Sequence, residues 1–362
     1  MRPIHSAISL AHRYERHISA VSLIGGFLFD NYAFGRIDRP STHIVFISYL
    51  LVAAVAIAVL HWLESRPPEK LPSARTRTIL AAATQFALGC LLSGFCVFYL
   101  RSASLFASWP YLFILAAIFI GNEIFRRYHS RLAMSSLLLF FSLISYTILL
   151  VPVLLAMIGT IPFLVSSGLA VVIFLFYLRL LAWLGRERFR SVRHWIGIGM
   201  VVITAAINVA YFTKVLPPLP LALADAGVYH SVAHIGSQYE AIGEQQAWTV
   251  RIGQPTVMHI APGDKLYVFS AVFAPARLST RIVHDWQWFD PVTHRWTQQS
   301  RVSFAISGGR EGGYRVYSIK TKVKFGDWRV DIATQDGRRV GRVRFRVLPL
   351  AGPVVPVLET LK

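Results

Sequence analysis

The feature that most constrains this chain is an uneven spread of apolar residues. Seven long apolar stretches fill about the first 215 positions, and the rest of the chain has none. A run near 20 residues is what a helix needs to cross the hydrocarbon core of a bilayer, and a water-soluble core helix has no use for one that long. The pattern predicts an α-helical multi-span membrane domain followed by one soluble domain. The predicted spans are Ile18–Phe34, Ile44–Leu63, Ile79–Leu100, Trp109–Phe125, Leu132–Met157, Ile161–Leu184 and Trp195–Phe212. Pro152 and Pro162 bracket the turn between the fifth and sixth stretches, where a helix kinks or stops, and fusing those two would leave six. The first stretch holds Asp30 and lacks a small-residue cleavage site, so it reads as a retained anchor.

A net charge of +19 would suggest nucleic-acid binding in a soluble protein, but here the distribution excludes that reading. The N-terminal segment and the second, fourth and sixth loops carry fourteen Lys and Arg residues, whereas the alternate loops carry three, Arg36, Arg39 and Arg101. Cations are retained on the cytoplasmic side of a membrane. The N-terminus is therefore expected in the cytoplasm, and everything after Phe212 outside it, in the periplasm of a bacterial inner-membrane protein. Cys90 and Cys96 share one stretch six residues apart, on different helix faces, so neither a disulfide nor a shared metal is expected.

Within the spans, an ionisable group is a functional hypothesis by default. Asp30 with Asn31, and Glu123 with Asn122, are the candidates. Arg126 and Arg127 stand three and four residues beyond Glu123, at helical pairing distance, and Arg36 or Arg39 could reach Asp30 by snorkelling.

After residues 1–215 the expected order is a Pro-rich linker at 216–222, a β-sandwich domain at 223–349 and a Pro-containing tail at 350–362. Beyond the linker the hydrophobic period changes to about two, with eight predicted strands in one all-β sandwich. The last hairpin can be read in register. A two-residue turn at Asp336-Gly337 sets Trp328, Val330 and Ile332 opposite Phe345, Val343 and Gly341 on one apolar side. The other side pairs Asp327 with Arg346 and Asp331 with Arg342, but sets Arg329 against Arg344. Like charges so placed cost a few tenths of a kcal/mol, so that pair is expected either to splay into water or to hold an anion.

Two further constellations stand out. His284, Trp286 and Trp288 share a strand face, where aligned indoles either stack on sugar rings or fill a core. The segment Ser307–Ser318 is rich in glycine but has no Lys-Ser/Thr and no following helix, which excludes a nucleotide loop and leaves a turn projecting Arg310. His230 and His234, if they share a strand, stand about 13 Å apart, too far to share a metal. No catalytic motif is present, and no cofactor is expected.

The run His284–Val347, with HDWQWFD, SFAISGGREGGYRVYS and GDWRVDIATQDGRRVGRVRFRV, resembles the C-terminal module of domain-of-unknown-function family 2914. The start RHISAVSLIGGFLFDNY is similar as well. The resemblance implies an inner-membrane protein with several spans and an outer β domain, and implies no activity. The leading expectation is thus a non-enzymatic envelope protein whose β-sandwich binds a protein or glycan partner through Arg310, Arg329, Arg344, His284, Trp286 and Trp288. The rival is a membrane-embedded enzyme or carrier for a lipid-linked intermediate, using Asp30, Asn31 and Glu123. Scaffolding of a larger complex is the third, and the expected surroundings are the lipid bilayer with no nucleic acid.

Overall fold

The computed structural model describes residues 39–67, 73–102, 131–216, 221–236, 238–246, 254–275, 278–310, 312–352 and 355–361. Five long helices come first: α1 (Pro40–Glu64), α2 (Ala74–Ser102), α3 (Arg131–Leu155), α4 (Thr160–Leu184) and α5 (Arg186–Phe212). All five are long and apolar enough to cross a membrane. The described residues thus hold five such helices where hydropathy predicts seven spans, and the stretches Ile18–Phe34 and Trp109–Phe125, with Asp30, Asn31 and Glu123, lie outside the described residues. The turn between α3 and α4 keeps those helices separate: Pro152 sits in the last turn of α3, and Ala156 and Gly159 take positive φ before α4 begins. Arg186, Arg188, Arg190 and Arg193, expected in a loop, form the first turns of α5.

Two compact units emerge. The first takes in α1, α2 to Phe98, α3 to Thr147, α4 from Ser166 and α5 to Ala206. Phe46 anchors it, stacking with Phe95 at 5.2 Å and Tyr146 at 5.7 Å, while Phe140 meets Phe174 at 4.7 Å. Polar groups tie the helices where apolar contact alone gives no direction: the Tyr177 hydroxyl donates to the Ala54 carbonyl at 2.9 Å, a nitrogen of the buried His61 lies 3.0 Å from the Leu181 carbonyl, and Arg188 pairs with Glu64. Large apolar side chains such as Ile44, Phe176 and Trp195 stay exposed on these helices.

The second unit includes residues 148–165 and everything described from Ile207 on. Its eleven strands are β1 (Ala222–Tyr229), β2 (Ser231–Ile235), β3 (Gln238–Glu244), β4 (Thr256–Ile260), β5 (Leu266–Phe273), β6 (Ser279–Asp290), β7 (Arg295–Ser307), β8 (Tyr314–Lys320), β9 (Gly326–Thr334), β10 (Arg339–Pro349) and β11 (Pro356–Leu361). They form three sheets, ordered β1-β5-β8, β4-β10-β9-β6-β7 and β11-β3-β2. Where one sandwich of eight strands is expected, the described residues hold three sheets; facing residues of the first two, among them Val268, Val272, Ile282, Trp286, Trp328, Val330 and Phe345, make the main core. The third sheet covers the opposite side of β5, where Phe269 and Ala271 pack with Tyr229, Val232, Ala241 and Leu361. The segment LYVFSAVF is almost continuously apolar because both of its faces are buried. The expected tail supplies β11, which pairs antiparallel with β3, and Ala222 of the expected linker already belongs to β1.

Three polar features fix how these layers fit. His284 is fully buried between the two main sheets, 2.8 Å from the Ser270 hydroxyl through Nε2 and 2.8 Å from the Ser318 hydroxyl through Nδ1, and Trp286 Nε1 donates to Ser318 at 2.9 Å. Glu244, 7% exposed, is held by His230 Nε2 at 2.9 Å and His259 Nδ1 at 2.8 Å, which joins the β1–β2 corner, β3 and β4 through one carboxylate. Arg338, in the β9–β10 turn, lies 3.7 Å over the Tyr211 ring, which itself stacks on Phe163 at 3.6 Å.

The β9–β10 register is the one the sequence predicts, from Asp327 opposite Arg346 to Ile332 opposite Gly341. The turn differs. Thr334 N–H donates to the Arg338 carbonyl and Gly337 N–H to the Thr334 carbonyl, so the loop has three residues, with Gly337 at φ 82°. An irregularity between Arg339 and Gly341 takes up the extra residue, and the two departures cancel beyond it.

Burial pushes the His284 imidazole down from 6.5 to about 3. The unfolded chain binds a proton near pH 6.5 that the folded core refuses until about pH 3, so this residue lowers stability as pH falls through that window. The expected loss at pH 5 is about 2 kcal/mol. It is to be read from denaturant unfolding of the detergent-solubilised protein by tryptophan fluorescence, with His284→Gln flattening the profile between those limits. Trp328→Ala, which empties the centre of the main core, is expected to cost about 3–5 kcal/mol in the same measurement.

Candidate functional site

The outward face of the five-stranded sheet gathers the chemistry. Alternation along each strand puts Arg342, Arg344 and Arg346 of β10 on this face, with Asp331, Arg329 and Asp327 of β9 directly opposite them. Asp285 and Gln287 of β6 face Asp331 and Arg329 from the other side, and Arg301 and Gln298 of β7 lie opposite those. β6 and β7 keep this alignment through a hairpin closed by Asp290, whose carboxylate accepts from the Val292 backbone N–H and the Thr293 hydroxyl, both at 2.9 Å.

The flanks of this face are neutralised. Arg346 forks onto Asp327 at 2.6 and 3.1 Å, and Arg342 grips Asp331 in the same two-point manner, with Arg339 adding a longer contact of 3.6 Å. The centre is different. Arg329 does not splay into water away from Arg344; it leans across β6, where its Nε donates to Gln287 Oε1 at 2.7 Å and its guanidinium lies 4.3 Å over the Trp296 ring. Its two terminal amino groups have no protein acceptor among the described residues. Partial burial, followed by the positive charge of Arg342, pulls Arg329 down to about 10, with Arg339 and Arg344 acting the same way and Asp331 opposing them. A half-desolvated guanidinium beside further arginines is a site where a bound anion relieves repulsion. Asp285 Oδ2 takes the Gln287 amide at 2.5 Å, while Oδ1 is buried with no hydrogen-bond partner among the described residues.

The other residues singled out from sequence fall elsewhere. His284 and Trp286 are sealed in the core. Trp288 is half-buried at the end of that core, donating to the Phe325 carbonyl at 3.0 Å with Lys324 4.5 Å over its ring. Arg310 is exposed on the β7–β8 turn and lies 4.7 Å over Tyr314. The glycines of that turn serve its backbone: a Cβ on Gly308 would strike the Pro275 carbonyl oxygen, Gly309 N–H donates to the Ala274 carbonyl, and Gly313 takes φ 82°. No cluster of three or more metal-ligating side chains suited to an ion occurs among the described residues. Gln287 and Asp285 were not legible from sequence, because their place depends on β6 pairing with β9, and no local signal encodes that pairing.

The molecule is thus of a definite kind: long apolar helices followed by a three-layer β domain that carries an arginine-centred sheet face. Residues 279–347, which run from β6 to β10 and contain all of that face, match the family described as "Protein of unknown function (DUF2914)". The family resemblance read from the His284–Val347 motifs is therefore found. A search of curated proteins returns no match to the chain.

Because Arg329 and Arg344 face each other, Arg344→Glu places an opposite charge across the strands. That variant is expected to gain roughly 0.2–1 kcal/mol of stability, measured as a shift in the urea midpoint at low salt, and to lose the gain at high salt.

Proposed function

We propose that this is a multi-pass protein of the bacterial inner membrane, with its N-terminus in the cytoplasm and its β domain in the periplasm. There the domain serves as a non-enzymatic binding module for a protein or glycan of the cell envelope. The loop-charge asymmetry supports the orientation, and the five apolar helices support the membrane location. The observation that carries the binding role is the unequal treatment of charge on one sheet face. Two arginines are tied to carboxylates, while Arg329 is stacked, half-buried and, among the described residues, paired only with a neutral amide. A surface serving solubility alone gains nothing from a desolvated guanidinium, whereas a recognition surface does.

Two measurements test this. Alkaline phosphatase fused after Lys362 is expected to be active and a fluorescent protein at the same place dark; the opposite pair of results overturns the orientation. Full-length protein in nanodiscs is expected to retain envelope material that the Arg329→Gln/Arg344→Gln double variant does not, and equal retention by both overturns the binding role of this face.

A further inference from the structure

We propose that the start of α5 is a binding site for anionic phospholipid headgroups, a reading that rests on the membrane location proposed above. Arg186, Arg190 and Arg193 recur at i, i+4 and i+7, which sets them along one stripe of the helix, and all three are exposed. Among the described residues, no ion pair or hydrogen bond reaches any of their three guanidinium groups. The acids nearby do not supply the missing charge. Glu64 at the end of α1 is engaged by Arg188, and Glu187 forms no ion pair among the described residues. The placement also runs against the electrostatics of the helix itself. Its N-terminal end carries partial positive charge, so cations there are repelled where acids would be attracted. Helix formation therefore does not account for these arginines, whereas an external anion relieves the repulsion and is gripped by the planar fork of each guanidinium.

The surroundings identify the anion as that of a lipid. Immediately beyond the arginines α5 turns apolar without turning inward, for Ile198, Val201 and Val202 are each more than half exposed. Trp195, two residues past Arg193, is 68% exposed, and Trp183 in the last turn of α4 is 81% exposed beside the α4–α5 junction. Indole rings collect at the headgroup level of a bilayer, where the ring meets acyl chain and the N–H meets water. The end of α1 lies at the same level, joined to this junction through His61 with the Leu181 carbonyl and Glu64 with Arg188, and it repeats the pattern with Arg66 3.8 Å over Trp62. A soluble acidic partner would meet the arginines and leave the indole and aliphatic surface in water. A phospholipid covers both, with its phosphate on the stripe and its acyl chains along the apolar turns.

The test uses the full chain in nanodiscs of mixed phosphatidylcholine and phosphatidylglycerol, with the lipids that stay bound counted by native mass spectrometry. Phosphatidylglycerol is expected to be enriched about tenfold over its share of the disc, and the variant Arg186→Gln/Arg190→Gln/Arg193→Gln is expected to lose that enrichment. The control Arg281→Gln/Arg295→Gln/Lys322→Gln removes the same charge from exposed positions of the β domain and is expected to leave the enrichment unchanged. Equal loss in both variants assigns the effect to net charge and overturns the site. Inorganic phosphate is expected not to displace the lipid, and displacement by it overturns the lipid in favour of a free anion. Thermal unfolding separates binding from a structural role. In phosphatidylcholine alone the α5 variant is expected to be at least as stable as the parent, because the helix end loses its repulsion, and with phosphatidylglycerol present it is expected to be less stable. A variant equally destabilised in both lipids shows that the arginines serve the fold, and overturns the proposal. Protein that resists carbonate extraction from membranes yet shows no enrichment overturns the lipid site alone; protein released by carbonate overturns it together with the membrane location.

Discussion

Burial of β5 on both faces is the constraint on which the β domain depends. Its even-numbered residues Val268, Ser270 and Val272 look toward the five-stranded sheet, and its odd-numbered Phe269 and Ala271 look toward the sheet of β2, β3 and β11. A strand so placed needs a sheet on either side, so the architecture has three layers and cannot be a simple sandwich. The arrangement frees the five-stranded sheet from covering anything else. One of its faces closes the core, and the other is left for charge.

That division has an energetic counterpart. The inward face of the β9–β10 hairpin gathers Trp328, Val330 and Phe345, fully buried, and burial of such side chains contributes about 1.5–3 kcal/mol each. The outward face of the same two strands carries a like-charge pair that costs a few tenths. A core of that strength tolerates an unfavourable pair one side chain away. The local cost at Arg329 and Arg344 is therefore sustainable. The Ser270–His284–Ser318–Trp286 network shows the opposite policy, a polar group placed inside the core with each of its ring nitrogens within hydrogen-bond distance of a serine hydroxyl.

Much of this was legible in the chain itself, for reasons that differ between elements. The apolar helices stand out because a bilayer-length hydrophobic run is unlike anything in a soluble core, and alternation exposed the two strands of the last hairpin. The β9–β10 register followed from period two alone and survived an error in the turn, since the bulge near Val340 compensates for the third loop residue. What escaped was non-local. β4 is five residues long, pairs in parallel with β10, and carries His259, so the clamp on Glu244 could not be assembled from sequence. β11 hides among prolines, which read as a tail. Arg329 was located but not its posture, because leaning on Trp296 requires knowing that β6 and β7 lie beside β9.

The pairing of β11 with β3 has a consequence for how the domain comes together. Pro356 lies opposite Glu244, so this ladder closes a loop of about 110 residues, and long loops are slow to close. Leu361 then seals the smaller core like a bolt shot home after the door is hung. Until that ladder closes, Phe269 and Ala271 lack the cover that Leu361 provides.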